Sequence, residues 1–128
     1  MIVDSSAVVA ILLREEGWEA LRSAVVGDEL VGIGAPTLLE VVLVISGRAG
    51  RDRSDDVRAF VRDLRIVVVS FEEEHARMAA QAFARFGKGR HPAALNFGDC
   101  MSYAVAKLAG QPLLCTGRDF AKTDLKLA

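Results

Sequence analysis

Residues 1–12 read MIVDSSAVVAIL, a short apolar run that reaches an aspartate at position 4 and continues through two serines into a second apolar run. The first run fits a short buried strand, and the serines ahead of AVVAIL are typical of a helix start. A strand that leads directly into a helix is the repeating unit of a parallel α/β sheet. The sequence therefore places Asp4 where a strand ends and a helix begins, which is where such sheets bind ligands.

The same alternation continues along the rest of the chain. Short β-branched or leucine-rich runs predict strands at residues 1–3, 30–33, 66–69 and 112–115. Apolar spacing predicts helices over residues 5–14, 17–26, 36–48, 54–64, 72–86 and 98–109, with GRAGRDR (47–53) as a loop between helices. Strands buried on both faces read as continuous apolar runs, as RIVVVS (65–70) does, so we predict a parallel sheet with helices on both faces. The third helix is apolar almost all round, and we expect it in the core or at a subunit interface.

Composition and charge limit the possible functions. The chain has 128 residues and a mass of 13.8 kDa, with 52% hydrophobic and 26% charged residues, which predicts a single globular domain over residues 1–128. A net charge of −1 gives no overall attraction to nucleic acid or to an anionic membrane, so any site for a polyanion must be local. No basic segment precedes the first apolar run, and the longest apolar stretch is interrupted by Glu40. We therefore expect neither a signal peptide nor a membrane span, and a cytoplasmic location.

Several acids fall where the predicted strands end or where the next helices begin. Asp4 ends the first strand, Glu40 lies early in the third helix, Asp99 begins the sixth helix and Asp119 follows the fourth strand. Each has a structural alternative. Asp4 would also serve as an N-cap, Glu40 as the partner of Thr37 in a capping box, Asp99 as a charge at a helix start, and Asp119 as a turn residue.

The energy of bringing such acids together favours a bound cation. Two bare carboxylates ~4 Å apart repel by roughly 1 kcal/mol in water and about 4 kcal/mol at a protein-like dielectric. Several such pairs would cancel much of the net stability of a small domain, which is typically ~5–15 kcal/mol. A proton, a basic side chain or a divalent ion must offset the repulsion. Oxygen ligands without a His or Cys set favour Mg²⁺ or Mn²⁺, and such an ion suits phosphodiester hydrolysis.

Taken in order, MIVDSSAVVAIL, Glu40, LNFGDCMSYAVAKLAGQPLL and the closing GRDF resemble a PIN-domain ribonuclease, and most of all the VapC toxins of VapBC toxin–antitoxin pairs. The likeness runs essentially end to end, and residues 87–107, GKGRHPAALNFGDCMSYAVAK, are similar to a run found in a subset of these toxins. The resemblance implies a PIN-like three-layer α/β/α sandwich around a central, mostly parallel sheet of four to five strands.

The resemblance also implies an activity, a cofactor and partners. It implies a Mg²⁺- or Mn²⁺-dependent endoribonuclease that cuts structured RNA, such as transfer or ribosomal RNA, and so inhibits translation. A VapB-type antitoxin would silence it, and the toxin would form a homodimer. A catalytically degenerate PIN fold that only binds RNA or protein is the alternative. A receiver-like signalling domain fits poorly, because Asp4 stands alone after the first strand and Ser70 follows the third.

Carried over by position, Asp4, Glu40 and Asp99 match the first three metal-site acids of the family. Many relatives have a further Asp at the position that Gly117 occupies here. Asp119 is therefore the candidate for the fourth acid, with Asp124 as its alternative. As a hypothesis, the first three bind the ion directly, and Asp119 binds it or orients the attacking water.

Other residues are candidates for support and for RNA contact. Ser6 would hydrogen-bond a ligand carboxylate or help to start its helix, and Asn96 would orient Asp99 or cap the same helix. The backbone at Thr116 would approach a phosphate or only form a turn. No acid occurs between His75 and Gly98. The candidates for RNA contact in and near this basic region are Lys88, Arg90, His91 and Arg118, with a solvated surface as their alternative.

Overall fold

Four short strands and six α-helices alternate along the chain in the computed structural model, which describes residues 1–128. The strands are β1 (Ile2–Val3), β2 (Gly32–Gly34), β3 (Val67–Val69) and β4 (Leu113–Leu114). The helices are α1 (Ser5–Leu13), α2 (Trp18–Gly27), α3 (Ala35–Ala49), α4 (Ser54–Asp63), α5 (Glu73–Phe86) and α6 (Phe97–Ala109). A 3₁₀ turn, Phe120–Lys122, follows β4.

The strands form one parallel sheet in the order β3-β2-β1-β4. Ile2 pairs with Gly32 of β2 on one side and with Leu113 of β4 on the other, and all three strand pairings are parallel. An isolated parallel bridge joins Leu113 to Leu127 beyond β4. The predicted α/β fold with a parallel sheet is confirmed.

Two apolar layers cover the two faces of this sheet. Side chains alternate between faces along a strand, so Val3 packs among residues of α1 to α4 while its neighbour Ile2 packs against α5 and α6. Leu114 and Leu113 of β4 divide between the same two clusters. The sheet is therefore the middle layer of a three-layer α/β/α sandwich, as expected.

Gly34, at the end of β2, allows α6 to approach the sheet. A Cβ atom at this position would lie 3.0 Å from Val105 Cγ2, which is tighter than ordinary van der Waals contact. The absence of a side chain at Gly34 leaves room for Val105 of α6 to pack against β2. α6 also packs against α3, which begins immediately after β2.

The predicted helices agree with the observed ones to within one residue at each end. The loop predicted at residues 47–53 is wrong in its first part, because residues 47–49 continue α3 and the helix ends at Gly50 in the left-handed region. The third helix is only partly buried. Val41 and Ile45 face the core, whereas Leu39 and Leu43 are exposed. None of the helices combines the length and apolar character that crossing a bilayer requires.

Candidate active site

The acids predicted from sequence lie around the carboxyl ends of three neighbouring strands. Asp4 directly follows β1, Glu40 lies on the helix that follows β2, and Asp119 follows β4. Asp99 lies in the first turn of α6, which packs against both α3 and the sheet. Parallel strands bring these chain segments to one edge of the sheet.

Asp4 is the most buried of these acids, with 3% of its surface exposed. It is the N-cap of α1, and its Oδ2 accepts hydrogen bonds from the Ser6 backbone N–H at 3.0 Å and from Ser6 Oγ at 2.6 Å. Its other oxygen, Oδ1, is buried and has no hydrogen-bond partner. The capping role is therefore real, but it uses only one oxygen of the carboxylate.

Ser6 connects Asp4 to the end of β4. Its Oγ donates to Asp4 and accepts a hydrogen bond from the Thr116 backbone N–H at 3.0 Å. Because the Asp4 N–H also donates to Leu114 O at 2.9 Å, the ends of β1 and β4 are joined twice. The orientation of the Asp4 carboxylate is thus fixed by two neighbouring strands.

In Asp99, as in Asp4, only one of the two carboxylate oxygens accepts a hydrogen bond from the protein. Its Oδ2 accepts a hydrogen bond from the Asn96 N–H at 2.9 Å, and Asn96 Oδ1 accepts one from the Asp99 N–H at 2.9 Å. This reciprocal pair caps α6. As with Asp4, the cap uses one oxygen and leaves the other without a hydrogen-bond donor from the protein.

Glu40 has no capping role. The N-cap of α3 is Gly34, and the Thr37 hydroxyl forms a buried 3.2 Å hydrogen bond with Ser102 Oγ instead of starting a capping box. The capping-box alternative is therefore wrong. Glu40 points toward the start of α6, where both of its carboxylate oxygens approach the backbone of Gly98.

The environment of Asp99 and Glu40 disfavours negative charge on these two acids. Burial, reinforced by the charges of Asp4, Glu40 and Asp119, raises the pKa of Asp99 to about 6, although the Asn96 N–H opposes the shift. Burial also raises the pKa of Glu40, with a further contribution from Asp4 and an opposing one from the Ser5 hydroxyl. Asp4, Glu40, Asp99 and Asp119 therefore influence one another through space.

No basic side chain offsets this repulsion at the three inner acids. Asp4, Glu40 and Asp99 form no ion pair with any Lys or Arg. The unpartnered Asp4 Oδ1 and the all-oxygen donor set fit a hard divalent cation. The carboxylate oxygens do not yet surround a common point, because no three His, Cys, Asp or Glu side chains are arranged so that they could hold one metal ion. Mutual repulsion favours separation of bare carboxylates, so holding one ion would require these side chains to rotate toward it.

The two candidates for a fourth acid lie in different surroundings. Asp119 is exposed, interacts electrostatically with Asp99, and lies 3.5 Å from Lys122 Nζ. Asp124 accepts hydrogen bonds from Tyr103 OH at 2.6 Å, Lys107 Nζ at 3.0 Å and Arg85 at 3.4 Å. These three donors fasten the end of the chain to α5 and α6. The structure therefore brings Asp119, and not Asp124, into the group of acids.

The predicted RNA-contact residues lie on exposed turns. Lys88, Arg90 and Arg118 are exposed and have no acidic partner, although the Arg90 guanidinium lies 5.2 Å from the centre of the Phe83 ring. His91 has a role within its own turn, because its Nδ1 accepts a hydrogen bond from the Ala93 N–H at 3.1 Å. This turn role makes His91 the weakest of the four candidates for contact with RNA.

Sequence reasoning missed two residues of this region, Ser5 and Gly98. Ser5 begins α1 and lies close enough to Glu40 to lower its pKa. Gly98 lies beside the Glu40 carboxylate at the start of α6. The GD pair in LNFGDC was the available signal for Gly98, but its meaning depends on how α3 packs against α6.

Comparisons with known proteins show the family of this chain. Residues 1–126 match the PIN domain family. Ribonuclease VapC36 of Mycobacterium tuberculosis is 45% identical over 127 residues, which cover 98% of this chain and 91% of that protein. Mycobacterium tuberculosis VapC20, a sarcin–ricin loop cleaving toxin, gives a TM-score of 0.79 at 17% identity over 99% of this chain and 97% of that one.

A toxin–antitoxin complex from Klebsiella pneumoniae gives a TM-score of 0.75 at 15% identity and covers 99% of this chain and 95% of that chain. The two solved structures show that the fold is shared. The family match and the similarity to VapC36 extend over nearly the whole chain. The chain belongs to the PIN-domain family and, within it, to the VapC ribonucleases.

Proposed function

We propose that this VapC ribonuclease is the toxin of a type II toxin–antitoxin pair and hydrolyses phosphodiester bonds of structured RNA with Mg²⁺ or Mn²⁺. Asp4, Glu40 and Asp99 would hold the ion, and Asp119 would act next to them. Transfer and ribosomal RNA are the substrate classes that we favour, because cutting either inhibits translation. Such substrates imply a cytoplasmic location.

The observation that supports this proposal most strongly is the buried, unpartnered Oδ1 of Asp4. A buried carboxylate oxygen without a hydrogen bond is costly, and buried polar atoms in folded proteins nearly always have a partner. Here the neighbouring charged groups are other acids, which increases the cost. A divalent ion would give this oxygen a partner and neutralise its neighbours.

When bound, the ion supplies positive charge to the scissile phosphate and lowers the pKa of the attacking water. Ser6 and the Asn96 N–H each hold one oxygen of a ligand acid, so that its other oxygen points in a defined direction. Asp119 would orient the water and take up its proton. The water oxygen would bond to phosphorus as the bond to the 3′ oxygen breaks. The leaving 3′ oxygen would take a proton from solvent, and Asp119 would return the proton of the attacking water to solvent. The products are a 5′-phosphate and a 3′-hydroxyl.

Contacts with the RNA backbone would come from Lys88, Arg90 and Arg118. All three are exposed, and none of them has an acidic partner to offset its charge. Lys122 links the segment around Asp119 to the turn after α5, since its Nζ donates to Pro92 O at 3.2 Å. Basic groups on both segments would therefore face the phosphates on either side of the acids.

We propose a VapB-type antitoxin as the protein partner because VapC ribonucleases are the family of this chain, and a structure with the same fold is a toxin–antitoxin complex. A basic side chain of the antitoxin would suit the group of acids, since a cation there reduces their repulsion and blocks substrate. Co-expression with the neighbouring small open reading frame, followed by a pull-down, would test this partner.

We propose that the protein forms a homodimer and that the exposed apolar face of α3 and α6 is its interface. Leu39 and Leu43 are 57% and 63% exposed, and Phe97 is 81% exposed. Next to Phe97 lies an apolar hollow of about 540 Å³ between α5 and α6, with Phe83 on its wall. A contiguous apolar surface of this kind is typical of an interface. Sedimentation should show a dimer for the wild type and a monomer for Phe97→Glu.

The central test is a nuclease assay of the purified protein on folded transfer RNA. Cleavage should require Mg²⁺ or Mn²⁺, stop in EDTA, and yield 5′-phosphate ends. Asp4→Asn should abolish it without unfolding the protein, because asparagine also caps helices and can accept the hydrogen bonds of Ser6. If the wild type binds RNA but cleaves none with any divalent ion, the degenerate PIN fold replaces the enzyme.

A further inference from the structure

Gly98 occupies a helical position that does not require glycine for its backbone conformation. It lies in the first turn of α6, and its φ angle is outside the left-handed region that favours glycine. Glycine is also a poor helix former compared with alanine. Neither backbone geometry nor helix propensity therefore explains glycine at this position.

The surroundings of Gly98 provide an explanation. A Cβ atom built there would lie 2.9 Å from both Oε1 and Oε2 of Glu40 and 3.1 Å from its Cδ. Real Cβ atoms essentially never make contacts shorter than 3.0 Å, so a side chain at this position would displace the carboxylate, which can move because it is the far end of a flexible side chain. The Glu40 carboxylate thus lies directly against the backbone of α6. In contrast, a Cβ at the helical Gly47 of α3 meets nothing within 4 Å.

This close approach determines where the charge of Glu40 lies. The positive end of the helix dipole lies at the first turn of α6 and partly offsets the cost of placing the Glu40 carboxylate there. The same turn includes Asp99, so the Glu40 carboxylate lies close to the backbone that carries Asp99. A methyl group at position 98 would push the Glu40 carboxylate away from this turn.

We propose that Gly98 is a positioning residue for Glu40: its lack of a side chain lets the Glu40 carboxylate lie against the first turn of α6, next to Asp99. The inference rests on the proposed function, since the spacing of these two acids matters because they would hold the same ion. Gly98 itself touches neither ion nor substrate. Its effect is transmitted through Glu40.

The test compares Gly98→Ala with Gly47→Ala, which makes the same change at a helical glycine with open space around it. Both variants should keep or slightly raise the Tm, because alanine favours a helix. Mn²⁺ binding, measured by electron paramagnetic resonance, should weaken about tenfold or more in Gly98→Ala, as is typical when support for a metal ligand is lost. It should be unchanged in Gly47→Ala. A metal-free crystal structure of Gly98→Ala should show Glu40 displaced from α6.

The same substitution in a Glu40→Asp variant tests whether Gly98→Ala acts through the Glu40 carboxylate or through a general change in α6. Aspartate at position 40 is shorter by one methylene group and leaves room for a methyl group at position 98. In Glu40→Asp, adding Gly98→Ala should therefore change Mn²⁺ affinity by less than about twofold, a strong departure from additivity. An equal loss in both backgrounds would overturn the positioning role, as would an unmoved Glu40 in the structure of Gly98→Ala. Failure of the wild type to bind Mn²⁺ would contradict the proposed metal site, while the metal-free structure would still decide the role of Gly98.

Discussion

Ser6 Oγ donates a 2.6 Å hydrogen bond to Asp4 Oδ2, while Oδ1 of the same buried carboxylate has no partner. The serine also accepts from the Thr116 N–H, so a single hydroxyl holds the acid and joins two strand ends. The orientation of the free oxygen therefore depends on Ser6. This dependence can be measured separately from the capping of α1.

Ser6→Ala should weaken Mn²⁺ binding about tenfold, because the Asp4 carboxylate loses the group that orients it. The cost to folding should be about 1 kcal/mol, since the lost hydrogen bonds lie partly open to solvent. Calorimetry of Mn²⁺ binding and urea unfolding measure the two effects. Ser54 is a matched control, because its Oγ and N–H also donate to an aspartate two residues earlier, Asp52, at the start of α4. A loss of Mn²⁺ affinity in Ser54→Ala would contradict the assignment.

The raised pKa of Asp99 predicts how the stability of the metal-free protein changes with pH. Between the ordinary value of 3.8 and about 6, the folded protein keeps a proton that the unfolded chain has released. Stability should therefore fall as pH rises through this range and then level off. Urea unfolding across the range should show this fall in the wild type. It should be smaller in Asp99→Asn, where only the raised pKa of Glu40 still contributes, and this variant should be the more stable protein above neutrality.

Protons and the ion should also compete for Asp99. Below about pH 6, the apparent Mn²⁺ affinity should drop by up to about tenfold per pH unit, because binding must displace one proton. An affinity that stays constant from pH 5 to pH 7, about the range in which the group titrates, would exclude Asp99 as a ligand.

Substitution of Asp119 should affect catalysis, whereas substitution of Asp124 should affect stability. Asp119→Asn should lower kcat by more than about tenfold with little change in Tm, because the side chain is exposed and, in the proposed mechanism, orients the attacking water and takes up its proton. Asp124→Asn should lower the Tm and leave kcat unchanged, since it weakens three hydrogen bonds to α5 and α6. The stabilisation from Asp124, whose pKa is lowered, should disappear as pH falls through that lowered value. Loss of metal binding in Asp124→Asn would reverse the assignment.

Neutralising a basic side chain on the turns should weaken RNA binding without affecting the chemical step. Lys88→Ala and Arg118→Ala should each raise KM and reduce the slope of log(kcat/KM) against log salt by about 0.7 to 0.9. Arg77→Ala is the control, because Arg77 is exposed and pairs with Glu73 at 3.7 Å on α5. Equal salt slopes for all three variants would place the RNA elsewhere on the protein.

Much of the fold is predictable because apolar periodicity is a local property. The continuous apolar runs correspond to β1 to β4, and the helix limits agree to within one residue. The loop predicted at residues 47–53 begins too early because GRAG suggests a loop, although the chain stays helical until Gly50 adopts a left-handed conformation. Family membership, now shown, excludes the receiver-like alternative.

The sequence allows the acids of the candidate site to be named, but it does not show their hydrogen bonds or their packing. The capping and metal-binding roles of Asp4 and Asp99 were competing interpretations of the sequence, whereas the structure permits both because each cap uses one oxygen. Asp119 and Asp124 could not be separated by sequence, since their difference depends on the direction of Tyr103 and Lys107 on α6. Gly98 was missed because its close contact depends on tertiary packing of α6 against α3.

The order in which the acids appear along the chain has a consequence for the cell that makes this protein. Asp4 emerges early from the ribosome, whereas α6 and β4, which position Asp99 and Asp119, are synthesised late. If these acids form the proposed active site, a partly synthesised chain would lack the complete group and would not yet cleave RNA. Cleavage would then begin only after synthesis is complete, when the proposed antitoxin could already bind.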